Sequence, residues 1–343
     1  MLPSLLVLGL PAVVSAVPTV VQSFDSASTA GDITIVSPAF YPENADTDVK
    51  RGVTYFSDVF NGTFSTYDPR TNKVIRVTPI PGIFGNLEFH TSGIQVDSKR
   101  DLLYIIAGPG AVWETSGKDI SGDSFLIQYD LAAQKFNYFS NLTSVANGLY
   151  SGHQDIAQDC FGNSYVVGSY PSSILKVSKD GKTITPWYVE SGTATTVHGY
   201  SGIASSANGR FIIVSDSEKG QLLRFDTEAP KGIPIHIPLQ AGAEPIGESL
   251  DGGYLPALFH DTVFLATDNV LGTVVIQSKD GWKSAQKVGV IPNTLASAKG
   301  TPTATVEIRG RIYVVTDFFG DATRNRTDFP LIDITDKIKN FLH

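Results

Sequence analysis

One hairpin signature recurs along the chain, and it constrains the fold more than any other feature. FIIVSDSEKGQLLRFD (211–226) sets two apolar runs around a polar turn, with Asp216 where the first run stops. VTYFSDVFNGTFSTYD (53–68) repeats the form with Asp58, and VFLATDNVLGTVVIQS (263–278) repeats it with Asp268. YVVTDFFG (313–320) opens it with Asp317 and resumes at FPLIDI (329–334). Two more copies lack the acid: LLYIIAGPG (102–110) leading to SFLIQYD (124–130), and SYVVGSYPSSILKVS (164–178). Copies spaced roughly 35 to 55 residues apart form an internal repeat, with a period that suits solenoids and propellers.

Each copy is preceded by a short run, as in SGIQVD (92–97), QDIAQD (154–159) and SGIASS (201–206). A further run follows, as in KVIRVTPI (73–80), KFNYFSNL (135–142), TITPWYV (183–189) and KVGVI (287–291). Short runs rich in Val, Ile, Tyr and Phe, punctuated by Gly, Asn and Asp, are strand signals. Four strands per repeat predict an all-β chain, a six-bladed β-propeller of four-stranded antiparallel blades. The segment DITIVS (32–37) is expected to close the ring beside FPLIDI. A single domain over 17–343 accounts for the repeat, and 42% hydrophobic residues suffice for packed sheet faces.

A formal charge of −8 without any basic stretch argues against nucleic acid and anionic membrane as partners. The first residues, MLPSLLVLGLPAVVSA, form an apolar run ending in small residues, read as a signal peptide over 1–16 that directs the chain to the secretory pathway. The run is too short for stable membrane insertion. Sequons at Asn61, Asn141 and Asn325 are consistent with N-glycosylation. Cys160, the one cysteine, excludes an internal disulfide.

In a propeller the inner strand of each blade starts at the face whose loops surround the central channel. The candidate site is therefore drawn from the inner-strand starts YPEN (41–44), FHTSG (89–93), SGHQD (151–155), VHGYSG (197–202) and SLDGG (249–253). His90, His153 and His198 fall at matching places by this count, with Glu43, Tyr200, Ser201 and Asp251 as neighbours. Histidine can donate a hydrogen bond or move a proton near neutral pH. The hairpin acids either cap their turns through the side chain or form a negative ring at the rim. Tyr41, Phe89, Tyr170, Tyr254, Phe318 and Phe319 add aromatic surface, or serve only to pack blades.

Pro42-Glu43 with Asp58 resembles the first blade of the gluconolactonase and regucalcin-like propellers, and SGIASSANGRFIIVSDS and LDGG resemble later blades. That family holds a divalent metal with a Glu, two Asn and an Asp. The resemblance maps these to Glu43, Gln154, Ser201 and Asp251, so both asparagines are replaced, and no metal and no other cofactor is expected. YPEN, DVFNGTFSTYDP, HTSGIQVD, TDNVLGTVVIQSKDGWKSAQKVGVIPN and RNRTDFPLIDITD, spread over nearly the whole chain, resemble a fungal family of secreted propellers. It takes its name from an accessory protein of the trichothecene toxin cluster. The resemblance implies work in secondary metabolism, including ring-forming steps of the hetero-Diels–Alder type on an apolar terpenoid or polyketide intermediate held in the channel. No G-x-S-x-G, HExxH, Walker or dinucleotide motif is present, and a cyclisation catalyst needs none: shape and a few donors suffice. A metal-dependent lactonase and a non-catalytic secreted binding propeller are the alternatives.

Overall fold

The computed structural model describes residues 30–192, 194–240 and 245–343. The described residues form six four-stranded antiparallel sheets around one axis. Strand β1 (Ile33–Val36) belongs to the last of them. The first blade holds β2 (Pro42–Asp48), β3 (Val53–Asp58), β4 (Thr63–Asp68) and β5 (Lys73–Pro79). The second holds β6 (Phe89–Asp97), β7 (Leu102–Pro109), β8 (Phe125–Asp130) and β9 (Lys135–Asn141). The third holds β10 (Ser151–Gln158), β11 (Ser164–Tyr170), β12 (Ser172–Val177) and β13 (Ile184–Val189). In the fourth are β14 (Tyr200–Ser205), β15 (Phe211–Asp216), β16 (Gln221–Asp226) and a short β17 (Ile235–His236). The fifth comprises β18 (Leu250–Tyr254), β19 (Val263–Asp268), β20 (Gly272–Gln277) and β21 (Gln286–Pro292). The last blade runs β22 (Thr301–Ile308), β23 (Arg311–Asp317) and β24 (Asp328–Asp333), and β1 completes it from the other end of the chain. Ile33 pairs with Leu331 and Val36 with Asp328, so the ring closes as the sequence predicts.

Middle strands read as unbroken apolar runs because both sheet faces are covered by neighbouring blades. Side chains alternate along a strand, so Ile212 and Val214 of β15 pack with Tyr165 and Val167 of the third blade. Ile213, between them, joins Phe264 and Ala266 of the fifth. Outer strands face water on one side, and Ile75 and Val77 of β5 are exposed accordingly. A short C-terminal helix (Thr335–Leu342) tucks Ile338 against Val263 and Ile312.

All six inner strands slip register at the same height. Pairing jumps after Pro42, Thr91, His153, Tyr200, Leu250 and Pro302. Each slip is a β-bulge, which re-aims side chains and frees backbone groups from the ladder. Neighbouring inner strands approach so closely there that small residues are required. A Cβ on Gly202 would lie 2.3 Å from the nitrogen of Gly253, and one on Gly252 would lie 2.7 Å from the carbonyl oxygen of Thr303. The bulges thus build a tight collar around the axis, and that collar positions the polar residues below.

Candidate functional site

The collar gathers acids. Glu43, Gln154 and Asp251, from three blades, are brought to the axis together with Asp155 and Asn44, and all are buried. Asp155 accepts from the Ile156 nitrogen (2.9 Å), the Ile203 nitrogen (3.1 Å), the Gly253 nitrogen (3.3 Å) and the Asn44 side chain (3.3 Å). Burial raises its pKa to about 6 against these hydrogen bonds. Burial likewise pushes Asp251 up to about 7. Glu43 is raised well above its ordinary range, first by burial and then by the charges of Asp251, Asp155 and Asp317. Its Oε2 has no hydrogen-bond partner.

This donor set does not fit a divalent metal. Gln154 Nε2 donates to Asp251 Oδ1, and Asn269 Nδ2 donates to Asp251 Oδ2 at 2.7 Å. Both oxygens of the carboxylate are therefore occupied by neutral amide donors. Ser201 Oγ turns away and shares a 3.0 Å hydrogen bond with Ser215 Oγ. Hard cations need several free oxygens converging on one point. Among the described residues, no group of three His, Cys, Asp or Glu side chains is arranged to hold an ion.

The channel continues below the collar, where it widens into a cavity of about 40 Å³ lined by Asn44, Asp46, Gln95, Asp155, Tyr254 and Thr305. That is room for about three waters. That volume is smaller than a terpenoid or polyketide intermediate.

Three of the four hairpin acids are turn caps, and all four are buried rather than forming a solvent-facing ring. Asp216 accepts from Gln221 Nε2 (2.8 Å) and the Lys219 nitrogen (3.3 Å), and Asp58 accepts from Thr63 Oγ1 (2.6 Å) and Ser65 Oγ (2.8 Å). Asp268 takes four backbone N–H groups, from Glu248, Ser249, Val270 and Leu271. Asp317 differs: it is fully buried and neither carboxylate oxygen has a partner.

The three histidines do not occupy matching places. Counted from the bulge, His153 is equivalent to Pro42 and Tyr200, His90 stands one residue earlier, and His198 two residues before Tyr200. Loops of unequal length before each inner strand misalign a count made from the loops. His153 is sealed between blades, its Nδ1 2.9 Å from Ser124 Oγ, and burial lowers its pKa to about 4. Tyr200 is fully buried among blade-core aromatics and donates to Glu190 at 2.8 Å. Only His90 and His198 reach the open face.

His198 lies against Trp113 and Tyr170, with ring centroids 6.3 and 5.7 Å away. Its Nε2 is buried without a partner, and burial lowers its pKa to about 4, so the ring is neutral at pH 7. Trp113 comes from a one-turn helix (Ala111–Glu114) inside the 110–124 connection of the second blade. His90 packs edge-on to Phe60 at 5.2 Å, and the guanidinium of Arg324 lies over the same Phe60 ring at 4.0 Å. Arg324 comes from the 318–327 connection of the last blade.

Sequence reasoning missed Trp113, Phe60 and Arg324. The signal was loop length: the corresponding hairpins of blades one, three, four and five are tight, whereas 110–124 and 318–327 are long. Insertions in single repeats map to one face, often the binding face.

Asn325 is exposed, whereas Asn61 and Asn141 are partly buried with their amide nitrogens donating to Ala39 and Asp123. The signal-peptide segment 1–16 lies outside the described residues. No helix among the described residues is long and apolar enough to cross a membrane.

Comparison with known proteins places this geometry. Trichothecene biosynthesis protein 14 of Trichoderma arundinaceum is 32% identical over 326 residues, covering 89% of this chain and 88% of that protein. The crystal structure of the major Malassezia sympodialis allergen Mala s 1 superposes with a TM-score of 0.79 at 23% identity, covering 89% of this chain and 96% of that one. A gluconolactonase of Xanthomonas campestris superposes with a TM-score of 0.54 at 13% identity, over 88% and 89% of the two chains. These two structural likenesses concern the fold alone. A family model for Mal s 1 allergenic protein-like proteins matches residues 25–289. Given that match and the trichothecene-cluster relative, the chain belongs to the Mal s 1 allergenic protein-like family of six-bladed propellers.

Proposed function

We propose that the protein catalyses ring formation in fungal secondary metabolism, acting in the secretory pathway on a reactive, apolar terpenoid or polyketide intermediate. The substrate docks on the open face above the collar, not inside the channel. The observation that carries this reading is His198, a neutral imidazole packed against the touching rings of Trp113 and Tyr170, with its Nε2 buried and unpartnered. Flat aromatic walls orient a π system, and the N–H of a fixed neutral imidazole polarises an enone or quinone-methide oxygen. A hetero-Diels–Alder coupling needs no more than this, and the likeness to a trichothecene biosynthesis protein supports the metabolic setting.

The test starts with gene deletion in the producing fungus and comparison of metabolite profiles. Purified protein is then added to extract of the deletion strain, and cyclised product is followed against the spontaneous background. His198→Phe is expected to lower the catalysed rate by about 10²-fold, while His153→Phe, altered within a blade seam, leaves the selectivity of the product unchanged. An unchanged metabolite profile on deletion, or full rate and selectivity in folded His198→Phe protein, would sink the reading.

A further inference from the structure

We propose that Arg324, laid over Phe60 beside His90 at the channel mouth, binds the oxyanion of a flat apolar carboxylate or phenolate. The inference rests on the reading of the open face as the substrate side and adds a chemical class to it. The guanidinium is exposed, lies 4.0 Å above the Phe60 ring, and has no carboxylate at ion-pairing distance among the described residues. A stacked guanidinium keeps its planar fork of donors free at the edge, the geometry that suits carboxylate.

Its position is fixed from several sides. Arg324 adopts φ +49°, a left-handed backbone that an arginine reaches only at a cost in strain. The connection carrying it is pinned where Tyr41 Oη donates to Asp321 and accepts from the Arg326 nitrogen at 3.1 Å. Asp321 is further engaged by Thr323 Oγ1 at 2.6 Å, and Arg326 stacks on Phe318 at 3.6 Å. Asp321 is thus taken up by hydrogen bonds and Arg326 by an ion pair with Asp328, whereas Arg324 has no carboxylate at ion-pairing distance among the described residues.

The surroundings are apolar. Phe319, on the same connection, is 46% exposed, and Phe84 and Leu87 are 61% and 72% exposed on the segment between β5 and β6. That segment lies along the Phe60 hairpin, where the Gly85 nitrogen meets the Asn61 oxygen at 3.4 Å. One fixed cation beside exposed apolar side chains matches an anion carried on an apolar body. Arg324 also acts electrostatically on both His90 and the buried Asp317, so a bound oxyanion would be sensed by the groups nearest the collar.

The probe is 1-anilinonaphthalene-8-sulfonate, compared with N-phenyl-1-naphthylamine, which has the same ring skeleton without the anion. Arg324→Gln should weaken the sulfonate probe by roughly tenfold or more and leave the neutral probe unchanged. Phe60→Leu should weaken both. In the unmodified protein, 2-naphthoate should displace the sulfonate probe and methyl 2-naphthoate should not. Glutamine carries the same backbone conformation as arginine, so folding is not at stake in the main variant. Equal affinity of Arg324→Gln for the sulfonate probe, or equal loss of both probes, overturns the inference. Arg324-independent binding with ring formation intact overturns this inference and leaves the catalytic reading standing. Arg324-dependent binding without any product formation supports the anion site and overturns the catalytic reading alone.

Discussion

Asp268 and Asp317 stand at the same strand position in adjacent blades, both fully buried, and they live in opposite worlds. Burial raises the pKa of each. At Asp268 the backbone N–H groups of Leu271, Ser249, Glu248 and Val270 outweigh it and hold the carboxyl below its ordinary range. At Asp317 neither oxygen has a hydrogen-bond partner, the charge of Arg324 does not suffice, and the carboxyl is raised well above the usual range. The difference comes from the connection that follows each strand. After Asp268 the chain turns tightly and returns its amides to the acid. After Asp317 it departs into the long 318–327 segment, and the acid is left behind. One repeat element thus serves as a structural cap in one blade and as a reserve of buried acidity beside the mouth in the next.

The largest effect should come from Asp268→Ala, which strands four backbone donors. A loss of about 3 kcal/mol is expected in urea-induced unfolding. A loss below about 1 kcal/mol would mean that the amides find water and that the contrast between blades is weaker than drawn.

Asp317→Asn should act in the opposite direction. A carboxyl whose folded pKa is raised contributes stability below its unfolded pKa, near 4, and loses it as pH rises toward the folded value. The native chain should therefore lose stability between pH 5 and pH 8, with Asp155, Asp251 and Asp46, raised to about 6, 7 and 7, adding to the slope. His153 and His198, lowered to about 4, oppose it below pH 6.5, but fewer groups carry that sign. Asp317→Asn should stabilise by about 1–2 kcal/mol at pH 8 and by almost nothing at pH 4, flattening the profile. Melting temperatures across pH measure it, and destabilisation at pH 8 would show that Asp317 has a partner after all.

A smaller effect sharpens the distinction between occupied and open carboxylates. Gln154→Glu replaces the amide that occupies Asp251 with a second acid. Calcium in excess should then raise the melting temperature of the variant, by the equivalent of about 1 kcal/mol, and leave the native protein unmoved. Equal stabilisation of both by calcium would restore a metal to the collar.

The fold was legible because a propeller repeats one local pattern, and each hairpin announces itself with two apolar runs around a turn, four of the six with an acid where the first run stops. Closure of the ring by residues 33–36 followed from the unpaired strand left at each end. The collar was legible only in part. Glu43 and Asp251 are there as the resemblance to the gluconolactonase-type propellers implied, but three histidines judged equivalent lie at different heights, because register is set by bulges that the sequence does not mark. Gln154 illustrates the same limit: its residue type argued against a metal, but its hydrogen bond to Asp251 depends on the approach of two non-adjacent blades.

Asp155 draws its four hydrogen bonds from the first, third, fourth and fifth blades at once. One side chain therefore counts the blades. In a ring of five or seven the same donors would not converge on two oxygens, and a buried carboxyl would be left short of partners. Blade number in this architecture is thus specified twice, once by the repeats along the chain and once by a single hub at its centre. A duplication or loss of a blade must replace that hub to survive, which ties the size of the ring to the chemistry of its axis.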